Sequence, residues 1–250
     1  MRTLHGEWTK FRTVPGQLWT LPALPLAMIV CTALIAAGAH PEQEGTLDVT
    51  ALSLSGVYFA QAVAVLVAVA VVSAEYPRMM RTTLAANPRR GTVFTAKTLL
   101  AAGAVGVLAL PGVTGALLTG RAVLTGGAAR LPLSSWPLWR ATLGTAVYLL
   151  LVALLTTGIA LIVRHAAAAV GTALTLLYGP YLATLIIEMP DHALHLVQKI
   201  SPMTAGLAVQ TVGGAGGTSP WSPGAGLAVT AVYAAGALVA GWGMLRWRDA

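Results

Sequence analysis

The sequence predicts an all-α integral membrane protein with six transmembrane helices, and three observations carry that prediction. Hydrophobic residues make up 56% of the 250 and charged residues only 9%, whereas a soluble domain needs roughly 25% charged residues to cover its surface. Six apolar runs each approach the roughly 20 residues that a helix needs to cross hydrocarbon, and none carries an ionised residue near its middle. The runs also lack the polar–apolar alternation of barrel strands. Backbone groups in lipid must be satisfied within their own segment, so the runs are helices.

In order, the predicted spans are 18–39, 52–74, 95–118, 142–163, 166–187 and 224–244, together forming one transmembrane domain over residues 1–250. Pro22 and Pro25 fall early in the first span, Pro111 in the third and Pro180 in the fifth, where partner helices can accommodate a kink. Placing both termini in the cytoplasm puts Arg2, Lys10, Arg12, Arg78, Arg81, Arg89, Arg90, Lys97, Arg164, Arg246 and Arg248 inside. That is 11 of the 15 basic residues, and it leaves only Arg121, Arg130, Arg140 and Lys199 outside. An excess of this sign on one side sets orientation. Trp19, Trp136, Trp139, Trp221, Trp242 and Trp247 lie close to span ends, the usual depth for interfacial tryptophan. The net charge of +7 therefore reads as topology, with lipid rather than nucleic acid as the partner. The first apolar run also exceeds the 7–15 residues of a signal peptide, so it is expected to stay as a span despite the small residues at 37–39.

Two polar segments have helical patterns of their own. Leu4, Trp8 and Phe11 fall within one arc while Arg2, Thr9 and Lys10 face away, which predicts an amphipathic helix lying in the cytoplasmic interface over residues 1–17. Residues 75–90, "EYPRMMRTTLAANPRR", form the most polar run of the chain. Tyr76, Met79, Met80, Thr83 and Leu84 recur at i, i+3, i+4, i+7 and i+8, so a helix gathers them on one face with Arg78 and Arg81 opposite. Methionine suits an adaptable docking surface because its flexible side chain repacks against a partner.

The remaining chemistry is mostly excluded. No stretch matches the phosphate-cradling G-x-x-x-x-G-K-[ST] loop or the H-E-x-x-H zinc motif, and no catalytic residue is assigned. The lone Cys31 excludes an intrachain disulfide. Asp191, His192 and His195 have no further ligand nearby, so they read as interfacial polar residues and no metal is assigned. Arg164-His165 marks a tight turn. No ionisable residue sits at mid-membrane, where an ion-coupled carrier places them. Gln61, Thr156, Thr157 and Thr184 are the candidate pathway-lining side chains, a set suited to a hydrophobic or amphiphilic cargo.

Residues 4–13, "LHGEWTKFRT", and 75–97, "EYPRMMRTTLAANPRRGTVFTAK", resemble the corresponding segments of type-2 ABC-exporter permeases of high-GC bacteria. Glu75, Tyr76, Thr83, Leu84, Pro88, Arg90 and Lys97 occupy positions of that pattern, while Met79 and Met80 replace its usual Gly-Thr pair. The resemblance implies a six-span permease in the bacterial cytoplasmic membrane, with a cytoplasmic coupling helix in segment 75–94 between spans two and three. A separate ABC ATPase would dock on Tyr76, Arg78, Met79, Met80, Arg81, Thr83 and Leu84, and a second permease chain, identical or paralogous, would complete the transporter. ATP and magnesium would belong to the ATPase, leaving this chain without a cofactor and without enzyme activity. The outside stretch 189–223 would carry short re-entrant helices. The expected activity is export of a hydrophobic or amphiphilic compound, such as an antibiotic, a peptide or a lipid-like molecule. The alternative is a non-transporting immunity or scaffold protein that sequesters a toxic compound.

Overall fold

The computed structural model describes residues 15–38, 49–73, 90–124, 133–212 and 220–247. Leu4, Trp8 and Phe11 of the expected interfacial helix, and Tyr76 to Leu84 of the expected docking face, lie outside the described residues. Those described are helical, with no strand among them. The helices are α1 (Pro15–Ala37), α2 (Val49–Ser53), α3 (Val57–Ser73), α4 (Arg90–Val123), α5 (Trp136–Val163), α6 (Ala166–Ile186), α7 (Asp191–Ile200), α8 (Pro202–Leu207) and α9 (Pro223–Trp247), with a 3₁₀ turn at Ala208–Gln210. By length and composition, four are able to cross a membrane: Gly91–Val123, Trp136–Val163, Ala166–Ile186 and Pro223–Trp247. Pro22–Ala37 and Val57–Ser73 are shorter apolar helices.

The run expected as a single span over 52–74 is instead two helices with a tightened joint. Between α2 and α3 the amides of Val57, Tyr58 and Phe59 donate to the carbonyls three residues back, at 3.1 Å each. Such bonds overwind the backbone into a 3₁₀ turn. The cause is contact with α1. A Cβ on Gly56 would lie 2.0 Å from the Met28 carbonyl oxygen, and the Gly56 amide donates to Thr32 Oγ1 at 3.0 Å. Only glycine lets the two backbones approach so closely.

The ends of α5 and α6 are set by a two-residue turn. Arg164 adopts a left-handed conformation (φ 56°) and its amide donates to the Ala160 carbonyl at 2.9 Å, closing α5 with an αL cap. His165 Nδ1 then accepts from the Ala168 amide at 3.2 Å and opens α6.

Helix α5 is the centre of the bundle, with α3, α4, α6 and α9 packed around it. In its most apolar window 67% of residues are buried, against 17% for α6 and 22% for α9, so α5 is the core and those two are periphery. Contact with α9 is close because Gly158 of α5 faces the Ala237 backbone, where a Cβ would sit 2.4 Å from the carbonyl carbon. Interfaces between membrane helices depend on such small residues, since lipid is as apolar as the side chains it would replace. On the far side, α1, α3 and α4 pack mutually.

Candidate functional site

A buried polar cluster forms where α3, α5, α6 and α8 meet. Gln61 on α3 and Tyr148 on α5 are each fully buried. The Tyr148 hydroxyl donates to Gln61 Oε1, and Gln61 Nε2 donates to the Met203 sulfur on α8 at 3.2 Å. The amide thus places its strong acceptor against a hydroxyl and its donor against a weak thioether acceptor. One turn earlier on α3, the Tyr58 carbonyl accepts from the Tyr178 hydroxyl of α6. The Tyr58 ring stacks on Tyr181, centroids 6.0 Å apart at 29°. Four tyrosines and one glutamine are thereby concentrated in otherwise apolar surroundings.

The α8 segment enters this cluster from one end of the bundle and leaves the same way. Met203 reaches Gln61, and Gly206 faces the Tyr148 ring, where a Cβ would approach to 2.3 Å. Val209 then passes Gly144, and the Thr211 carbonyl accepts from the Arg140 guanidinium at 2.8 Å. From Tyr148 back to Arg140 is two turns of α5, a climb of about 12 Å. Side chains hold the segment in place. Gln210 Nε2 donates to Thr145 Oγ1 at 3.1 Å, and the Thr230 hydroxyl donates to the Pro202 carbonyl at 3.1 Å. Pro202, Met203 and residues 205–210 are buried, so this plug is part of the core rather than a surface loop.

Of the four side chains expected along a pathway, the structure brings only Gln61 into the cluster. Thr156 and Thr157 are fully buried, and their hydroxyls donate to the Val152 and Ala153 carbonyls of their own helix at 2.8 Å. The Thr184 hydroxyl does the same to Tyr181 at 2.7 Å. Back-bonding satisfies these hydroxyls within one helix and leaves them little part in contacts between helices. The sequence reading passed over Tyr58, Tyr148, Tyr178 and Tyr181. Their signal was present: Tyr58 and Gln61, like Tyr178 and Tyr181, are three apart and therefore share a helix face.

At the opposite end, the helices that flank residues 74–89 are tied together. Lys97 of α4 is fully buried, with Nζ 3.5 Å from the Val71 carbonyl in the last turn of α3. A cation at this position complements the negative end of the helix dipole. Phe94 packs on Trp242 of α9 at 5.2 Å between centroids, and the Arg246 guanidinium lies 5.7 Å above the same indole.

Chemically, the cluster offers hydroxyl and amide groups to a polar moiety in an apolar setting, and it has no nucleophile–base pair. His192 and His195 are exposed on α7, away from it, and among the described residues no group of three or more His, Cys, Asp and Glu converges. No protein-family model matches this chain, nor does any curated protein.

Proposed function

We propose that this chain is the permease subunit of an ATP-driven exporter, a six-span protein with both termini in the cytoplasm, working with a separate ABC ATPase and a second permease chain. It moves a hydrophobic or amphiphilic compound outward across the bacterial cytoplasmic membrane. The observation that carries this reading is the buried tyrosine–glutamine cluster joining α3, α5, α6 and the α8 plug. A polar joint inside apolar helices is costly unless satisfied, and its hydroxyls and amide can exchange an internal partner for a polar group of the cargo. Support also comes from Lys97, which ties α3 to α4 on either side of the expected docking segment. A push on that segment would then move both helices as one body, the kind of packing change by which closure at one site opens another.

The test is co-purification of an ABC ATPase with this chain from its native membranes, followed by ATP-dependent export of amphiphilic dyes from cells or into inverted vesicles. Met79→Glu with Met80→Glu should abolish ATPase association. If the doubly substituted chain still bound the ATPase and exported dye, docking on this segment would be wrong. If the chain protected cells from a toxic compound with no ATPase present, sequestration would replace transport.

A further inference from the structure

An apolar groove of about 410 Å³ runs between α6 and α9, with α5 as its floor. Leu155 and Ile159 form the floor, Leu176 one wall, and Val232, Tyr233 and Gly236 the other. Val232 is 71% exposed, so the groove opens sideways, toward whatever solvates the apolar faces of α6 and α9. In a membrane that solvent is hydrocarbon chains.

The groove has a polar rim at one end. The Tyr233 hydroxyl donates to the Ile200 carbonyl at 2.8 Å, and Trp221 Nε1 donates to the Lys199 carbonyl at 3.2 Å. These bonds pin the C-terminal end of α7 above Tyr233. Helix α7 is amphipathic: Ala193, Leu194, Leu196, Val197 and Ile200 share one face, and Asp191, His192, His195, Gln198 and Lys199 the other. Leu196 is 47% exposed and Ile200 61%, so the described residues leave part of its apolar face uncovered. A helix of this pattern settles at the level of lipid headgroups, with Trp221 beside it as an interfacial anchor. At that level Lys199 is exposed at the groove end of α7, while Asp191 lies at the other end, about 12 Å back along the helix.

We propose that this groove holds an acyl chain of a bilayer phospholipid whose anionic headgroup rests against the Lys199 ammonium. The chain packs on Leu155, Ile159 and Leu176, with the Tyr233 hydroxyl at the end of the groove nearest α7. Association with the apolar walls alone would be weak, because free lipid offers equal contact, so Lys199 supplies the selectivity. The site requires only that the chain reside in a bilayer and holds whatever it transports.

Native mass spectrometry of the full chain in mild detergent, offered phosphatidylglycerol or phosphatidylcholine, tests this. The wild type should retain the anionic lipid preferentially. Gly236→Leu fills the groove with little strain at its base, since a Cβ there meets nothing within 4 Å, and it should reduce retention of both lipids several-fold. Val232→Phe, on the exposed wall, should act in the same direction, with helicity checked by circular dichroism. Lys199→Gln should cost roughly fivefold in phosphatidylglycerol retention, the effect expected of one basic residue near a headgroup, and leave phosphatidylcholine unchanged. Lipid retention unaffected by both filling variants would overturn the proposal. So would filling variants that split a dimer while the lipid stayed bound, since the groove would then belong to a second copy.

Discussion

Replacing Tyr148 by phenylalanine removes one hydroxyl and leaves the oxygen of Gln61 buried without its donor. In a soluble core, an orphaned acceptor of this kind costs about 1–3 kcal/mol. Between membrane helices the measured coupling of hydrogen-bonded pairs is smaller, averaging about 0.6 and reaching about 1.7 kcal/mol, because the chain unfolded in the membrane also finds partners. Both side chains are fully buried, and the bond joins two helices, so this pair belongs near the upper end, about 1–1.7 kcal/mol. The assay is a double-mutant cycle. Tyr148→Phe orphans the amide, and Gln61→Met orphans the hydroxyl while keeping side-chain length. The double variant orphans neither. The bond from Gln61 to the Met203 sulfur complicates the cycle little, because a thioether is a weak acceptor and loses little when left alone. Unfolding free energies in lipid bicelles should therefore show the double variant substantially more stable than the sum of the two single losses predicts. A coupling below about 0.3 kcal/mol, the additivity expected of independent sites, would refute the cluster as a joint between α3 and α5.

Glycines at close contacts should be intolerant in proportion to what they face. Gly56→Ala and Gly158→Ala force a methyl into a neighbouring backbone and should each lower thermal stability by about 1–3 kcal/mol. Gly103→Ala, whose Cβ would meet nothing within 4 Å, should shift stability by no more than about 0.5 kcal/mol or raise it slightly by favouring helix. Lys97→Met removes the cation at the end of α3 and should cost about 0.5–2 kcal/mol. Under the proposed function it should also lower export per ATP hydrolysed while ATPase binding persists, and an unchanged ratio would detach Lys97 from transmission. In a Cys31→Ser background, Thr83→Cys should react with a membrane-impermeant maleimide only after permeabilisation, and Ala215→Cys in intact cells. The reverse pattern would invert the topology and remove the expected docking segment from the ATPase.

Much of the architecture was legible in the chain because the membrane imposes a one-dimensional rule. A run of apolar residues long enough to cross hydrocarbon, free of charge at its middle, has helix as its only viable form. That rule placed α6 almost to the residue, at 166–187 against the observed Ala166–Ile186. It found the turn at Arg164 and His165, where two polar residues interrupt continuous apolar sequence. It placed α4 and α5 with ends set too far inside the helix, since α4 runs from Arg90 to Val123 and α5 begins at Trp136. Hydropathy marks the depth at which a helix leaves lipid, not where its hydrogen bonding stops. Family resemblance supplied the functional expectation from segments 4–13 and 75–97, and hydropathy says nothing about either.

Three features belong to tertiary structure alone. Gly56 looks like any glycine in an apolar run, and only the Met28 carbonyl across the interface explains why α2 and α3 are separate. Gln61 stood out as polar, but its partners are 87 and 142 residues away along the chain, a separation no periodicity records. The threonines looked equivalent to it, yet a hydroxyl can bond to its own helix whereas an amide this long must find a neighbour. The chain by itself determined that the described apolar segments are helices, because solvation of a single helix is a local property, while four of the six expected spans are long and apolar enough in the structure to cross a membrane. Packing decided which polar groups face one another and where α8 inserts, because those outcomes depend on shape and satisfied hydrogen bonds between segments far apart in sequence.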